Sequence, residues 1–121
     1  MNGPTTPETC IFCKIVRGEI PANKAYEDEL VLAFHDIRPV APVHVLVIPK
    51  VHIGSLAECG PEHQPVLGRM LAIAPQIARE LGAKAGFRTI INTGRDGRQE
   101  VYHLHMHVIG GRDTGPMILR T

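Results

Sequence analysis

The sequence predicts an α+β domain built on an antiparallel meander of about five strands, with one long helix and a short N-terminal helix. Three observations point there. Short β-prone runs recur along the chain, bounded by Gly, Pro, Asn or Asp. A single stretch, Glu62 to Leu81, holds apolar residues at helical spacing. The run Val101-Tyr-His-Leu-His-Met-His-Val-Ile-Gly-Gly111 alternates polar and apolar residues, as a half-buried strand does.

In chain order, residues 1–8 are expected to form a flexible arm and residues 9–121 a single domain. Thr9 is placed to cap a helix from Cys10 to Arg17, which Gly18 and Pro21 stop. Strands follow near Lys24 to Glu27 and over Leu30 to Asp36. Arg38-Pro-Val-Ala-Pro42 is a connector with two prolines, which a central strand would not tolerate. It leads into the β-prone run His44-Val-Leu-Val-Ile48. Ser55-Leu-Ala-Glu58 has capping-box spacing for a brief helical turn. The long helix is expected to bury Leu67, Met70, Leu71, Ala74, Ile77, Ala78 and Leu81, to kink at Pro75, and to end with Gly82 at C′. Phe87 to Asn92 is a strand, and Thr93 to Gly97 is a polar loop before the histidine strand. Gly110, Gly111, Gly115 and Pro116 open an irregular tail.

Composition excludes several classes. The 121 residues suit one domain with a core of its own. Thirteen basic residues against twelve acidic ones leave a net charge of +1 with no basic tract, so no nucleic-acid partner is expected. No apolar run approaches the roughly 18 residues of a membrane span, so no membrane partner is expected either. Met1 to Pro7 carries no positive charge ahead of an apolar stretch, so no secretory signal is expected. The odd count of three cysteines fits a cytoplasmic protein with reduced thiols.

His103, His105 and His107 would share one face of a strand, about 6.6 Å apart. Each neutral imidazole needs both a donor and an acceptor satisfied, so a row of them is a poor way to build a sheet and points to chemistry. A metal site is one reading, but a His-x-His pair needs further ligands and the glycine-rich tail supplies no carboxylate at suitable spacing. Nucleophilic catalysis fits better: a neutral ring nitrogen of His105 attacks phosphorus, and a flanking ring assists. Acid–base work on a non-phosphate substrate fits the same spacing.

The string His103-Leu-His-Met-His-Val-Ile resembles the signature of the histidine triad (HIT) superfamily, His-φ-His-φ-His-φ-φ with φ apolar. Cys10-Ile-Phe-Cys-Lys-Ile15, Gly18-Glu-Ile-Pro21, Leu32-Ala-Phe-His-Asp-Ile37, Ala41-Pro-Val-His44, Val47-Ile-Pro-Lys50, Gln99-Glu-Val-Tyr-His103 and Gly110-Gly-Arg112 resemble its Hint branch, over Thr9 to Pro116. The resemblance implies a HIT-like fold whose sheet continues across a homodimer. It also implies a purine nucleoside phosphoramidase acting on adenosine 5′-phosphoramidates, with no cofactor for the chemical step. His105 resembles the nucleophile that becomes adenylylated, His107 the neighbour on the α-phosphate, and His44 a supporting imidazole. Asn92 resembles the amide at the phosphate end, and Asp36 the carboxylate for the ribose hydroxyls. Phe12, Ile15, Phe34, Ile37 and Leu46 resemble the walls of the purine slot. Gln99 and Val101 match the pattern near the leaving group. Glu100 departs from the hydroxyl residue some members carry, and Arg98 stands where a glycine is common. The third triad position is His107, whereas the uridylyltransferase branch has Gln there, and this implies hydrolysis over transfer.

In part of the superfamily two such cysteines join two histidines around a structural zinc. The matching positions are Cys10, Cys13, His52 and His103. Two reduced thiols beside a hydrogen-bonded His103 are the other reading. Dinucleoside polyphosphate hydrolysis and a non-catalytic purine nucleotide sensor remain alternatives for function. Taken without the resemblance, Asp36 and Asn92 read as turn residues, Phe12 and Phe34 as core, His44 as a strand start, and His35 and His63 as surface.

Overall fold

A computed structural model describes residues 5–118. Helix α1 spans Ile11–Val16 and helix α2 spans Gln64–Glu80. The strands are β1 (Lys24–Glu27), β2 (Val31–His35), β3 (Val43–Pro49), β4 (Phe87–Ile90) and β5 (Met106–Gly110). Single 3₁₀ turns at Leu56–Glu58 and Pro61–His63 precede α2, and the Ser55 hydroxyl caps the first of them by accepting from the Ala57 N–H. No helix among the described residues is long and apolar enough to cross a membrane.

The five strands form one antiparallel sheet in the order β1-β2-β3-β5-β4. The meander therefore holds through β3. The chain then crosses with α2 to the outer edge as β4 and returns inward as β5. Central strands are buried on both faces, which is why β3 reads as an almost unbroken apolar run with all seven residues buried. One face packs Val31, Ala33, Val45, Val47, Met106 and Val108 under α2. The other packs Leu32, Phe34, Leu46 and Ile48 under Cys10, Phe12, Cys13 and Ile15 of the α1 segment.

Several local expectations shift. Cys10, not Thr9, is the N-cap of α1, and its sulfur accepts from the Cys13 N–H. Thr9 instead belongs to the turn before it, bonded to Thr6. Residues 1–4 of the expected arm lie outside the described residues. Thr5, however, donates its hydroxyl to the Tyr102 carbonyl and accepts from His52 Nε2. The Phe87 strand ends at Ile90, two residues early. Gly82, with φ 100°, occupies C′ as expected. The Ala83 N–H reaches the Ala78 carbonyl and the Gly82 N–H reaches that of Arg79, which is a Schellman closure.

The buried stripe of α2 is Val66, Met70, Ile73, Ala74, Ile77 and Ala78. Leu71 is 56% exposed and Leu81 37%. The spacing rule admitted two overlapping stripes, and packing against β3 and β5 selected the β-branched one. Ile77→Ala, at a site 1% exposed, should cost about 2–5 kcal/mol. Leu71→Ala should stay within about 0.5 kcal/mol. Urea unfolding of both variants reads the difference, and equal losses would contradict the assigned face.

Candidate active site

The histidine run is not one continuous strand. Val101 to His105 is irregular, with the Leu104 N–H held by the Ile53 carbonyl at 2.7 Å, and pairing begins only at Met106. Alternation still sorts the side chains. Leu104, Met106 and Val108 enter the α2-side core, while the imidazoles face the α1 side. The rings do not form an evenly spaced row. His105 and His107 lie 5.2 Å apart between centroids, whereas His103 stands 5.2 Å from His52.

His105 Nδ1 bonds the backbone carbonyl of His103 at 2.8 Å. A carbonyl only accepts, so Nδ1 carries the proton and Nε2 keeps its lone pair. Nε2 makes no hydrogen bond among the described residues, and every sealed side-chain nitrogen or oxygen among them has a partner. The Nε2 atom is therefore reachable from solvent, although the residue as a whole is buried. Phe12 meets this ring edge-on at 5.4 Å. Burial lowers the His105 pKa below the ordinary imidazole value; the His103 carbonyl and the charges of Asp36 and Glu100 work against that fall. The ring is neutral at neutral pH.

His107 has the opposite tautomer. The Val40 N–H donates to His44 Nδ1 at 3.2 Å, so His44 is protonated on Nε2. His44 Nε2–H in turn reaches His107 Nδ1 at 2.9 Å, which leaves the His107 proton on Nε2. Burial, with the neighbouring rings of His105 and His44, takes the His107 pKa to about 4. Asp36 adds a weaker contact, with Oδ2 3.4 Å from His44 Nε2. Its other oxygen accepts from the Arg38 N–H at 2.8 Å. The turn reading of Asp36 is thus correct, and one oxygen still faces the imidazole pair.

Phe12, Ile15, Phe34 and Leu46 are buried together in the α1-side cluster, with Val101 packed at its border. Phe12 and Phe34 meet edge to face at 5.5 Å. Ile37 is not in that wall; it stands 93% exposed on the connector. Asn92 spends its NH₂ on the Gly97 carbonyl, closing the loop ahead of the histidines. Gln99 is 1% exposed and fully engaged: it accepts from the Gly94 N–H and donates to the Gly54 and Val101 carbonyls. It braces three loop segments and leaves no polar atom for a ligand. Arg98 has φ 65°, the left-handed region where a residue with Cβ costs roughly 1 kcal/mol, and this accounts for glycine at such a position. The groups that set the tautomers are backbone atoms of His103, Val40 and Pro49. They carry no side-chain signal in a sequence.

Beside this pair lies a second cluster. Cys10 Sγ, Cys13 Sγ, His52 Nδ1 and His103 Nδ1 all lie within 4.8 Å of one another. His103 Nε2 is held by the Pro49 carbonyl at 2.8 Å and His52 Nε2 by the Thr5 carbonyl at 3.1 Å. Both Nδ1 lone pairs therefore face the sulfurs, the arrangement a metal-bound histidine adopts. Burial pushes the Cys13 thiol up to about 12 and the His103 imidazole down to about 4. These four residues fit a tetrahedral soft-ligand metal. Asp36, His44 and His107 are equally close to one another, but they do not fit. Freeing His44 Nε2 for a metal would move its proton to Nδ1, directly against the Val40 N–H.

Residues 17–114 match the family profile described as HIT domain. The chain is 51% identical over 112 residues to the purine nucleoside phosphoramidase of Escherichia coli K12, covering 92% of this chain and 94% of that protein. It is 55% identical over 103 residues to Protein HitA of Neisseria gonorrhoeae, covering 85% and 96%. A HIT family hydrolase from Clostridium thermocellum superposes with a TM-score of 0.89 at 47% identity, covering 94% of this chain and 100% of that one. A zinc-bound histidine triad family protein from Mycobacterium smegmatis gives 0.79 at 39% identity, covering 95% and 84%. Fold, histidine placement and sequence likeness agree, and the chain belongs to the HIT family.

Proposed function

We propose that the protein is a hydrolase of purine nucleoside 5′-phosphoramidates that works through a nucleotidyl group carried on His105. One observation carries this reading: two adjacent rings with opposed tautomers, a bare nitrogen on His105 and an N–H on His107. The 51% identity to a protein named purine nucleoside phosphoramidase supports the substrate class.

His105 Nε2 gives its lone pair to the α-phosphorus as the P–N bond opposite it breaks, and the amine departs after taking up a proton from solvent. The positive charge this places on the ring is met at Nδ1–H by the His103 carbonyl. His107 Nε2–H donates to a non-bridging oxygen, where charge accumulates. Water then adds to phosphorus and gives up a proton to solvent, the P–Nε2 bond returns its pair to the ring, and the nucleoside monophosphate leaves. Asp36 is assigned to the ribose hydroxyls, and Phe12, Ile15, Phe34 and Leu46 to the base, with Ile37 at the rim. Asn92 and Val101 border the phosphate end, and Gln99 acts there only by holding the loop.

Cys10, Cys13, His52 and His103 are assigned to a structural zinc, which would tie α1 to the His103 segment and take no part in the bond changes. A homodimer joined along β4 belongs to the same proposal, since β4 is a sheet edge and Phe87 on it is 39% exposed.

Glu100 is exposed, and its charge reaches His105. A carboxylate at the leaving-group end favours a cationic amine over an acidic one. Glu100→Ser should shift the kcat/KM ratio between amine-bearing and carboxylate-bearing leaving groups roughly fivefold toward the latter. Equal changes on both substrates would remove Glu100 from specificity. Turnover of a fluorogenic adenosine phosphoramidate tests the activity itself, and binding without turnover would leave a sensor.

A further inference from the structure

The connector between β2 and β3 holds the donor that sets the His44 tautomer, yet it is an exposed loop, with Val40 58% exposed. Something must keep the Val40 N–H on His44 Nδ1. The chain beyond β5 supplies it. Gly111, at φ 89°, passes so close to the connector that a Cβ there would stand 2.9 Å from the Pro42 Cβ. This tight turn sends Arg112 back across the connector, where its Nη2 donates to the Val40 carbonyl. Among the described residues that carbonyl has no other hydrogen-bond donor.

We infer that Arg112 is a positioning residue: by pinning Val40 it fixes His44, and through His44 it holds the proton of His107 on Nε2. The path is continuous. Arg112 donates to the carbonyl of Val40, the N–H of Val40 to His44 Nδ1, and His44 Nε2–H to His107 Nδ1. With Val40 released, His44 can carry its proton on either nitrogen. Each His44 with the proton on Nδ1 turns His107 around, so that a lone pair replaces the N–H facing the phosphate. Arg112 touches none of the reacting groups. The inference rests on the phosphoramidase reading only for the step from the His107 tautomer to rate.

The test is nitrogen-resolved histidine NMR of the full-length protein at neutral pH, without substrate, alongside steady-state kinetics. Wild type should show His44 protonated on Nε2 and unprotonated on Nδ1, and His107 likewise. Arg112→Ala should mix the two tautomers at both residues and lower kcat about tenfold, part of the roughly 10²-fold or more that a positioned proton-donating group supplies. KM should change less than twofold. Arg112→Lys should restore part of both signals, because an ammonium can still donate to a carbonyl. Val40→Pro removes the N–H itself, and adding Arg112→Ala to it should lower kcat no further. Arg88→Ala frees the tail carbonyls of Thr114, Gly115 and Pro116 and should leave both tautomers unchanged. Unchanged His44 and His107 tautomers in Arg112→Ala would overturn the inference whatever the rate did. A tautomer change in a chain without phosphoramidate turnover would keep it and sink the proposed function instead.

Discussion

Replacing His105 with Asn should abolish phosphoramidate turnover, by on the order of 10³-fold or more, while purine nucleotide binding falls less than tenfold. The size follows from what is lost. Asn keeps a polar side chain of modest volume but has no nitrogen lone pair to give, so no covalent nucleotidyl group can form. The pocket around it is kept by other residues: Phe12, Phe34 and Leu46 also pack on one another in the α1-side cluster, and the His44–His107 bond does not involve it. Isothermal titration with AMP and a turnover assay on the same preparation separate the two effects. A variant that keeps a tenth of wild-type kcat would assign attack to another group.

The second large effect concerns the four-residue cluster. Cys13→Ser should lower zinc content to near zero and the melting temperature by on the order of 10 °C, with a matching fall in wild type treated with a strong chelator. A ligand present at 1,000 times its dissociation constant stabilises by about 4 kcal/mol, and each kcal/mol shifts a domain of this size by several degrees. Without metal the site is four groups meeting through weak sulfur contacts of 3.2 to 3.5 Å. Cys59→Ser is the control, because that thiol bonds the Ser55 carbonyl and packs at the edge of the α2-side core, outside the four-residue cluster. Metal analysis and calorimetry read both. Equal melting temperatures for Cys13→Ser and wild type, with no metal in either, would leave two reduced thiols as the correct description.

Much of this architecture is legible from residue pattern alone, and the exceptions are instructive. Period-two alternation placed Leu104, Met106 and Val108 in the core and the histidines on the other face, because burial sorts side chains even where pairing is absent. It overextends the strand, since regular pairing starts only at Met106 with β3 and at His107 with β4. The α2 stripe holds at Met70, Ala74, Ile77 and Ala78 but shifts at its margin, where Val66 and Ile73 are buried and Leu71 and Leu81 are exposed. Leucine and the β-branched residues satisfy one periodicity at adjacent phases, and only the sheet beneath decides between them. Gln99 is expected near the leaving group, and folding spends both its N–H groups and its oxygen on the Gly54, Val101 and Gly94 backbone. Ile37 reads as pocket wall, and its side chain points outward from a proline-rich connector. The tautomers of His44, His103 and His105 are not legible, because main-chain groups of Val40, Pro49 and His103 set them, and His107 takes its own from His44.

The proposed mechanism requires His105 Nε2 to become bonded to phosphorus. Rapid acid-free quenching of the wild-type protein during turnover of an adenosine phosphoramidate, followed by peptide mass spectrometry, tests it directly. One added AMP should be found on the peptide that contains His105, and none in His105→Asn. An adduct on a different residue, or turnover with no adduct under conditions that trap phosphohistidine, would contradict it.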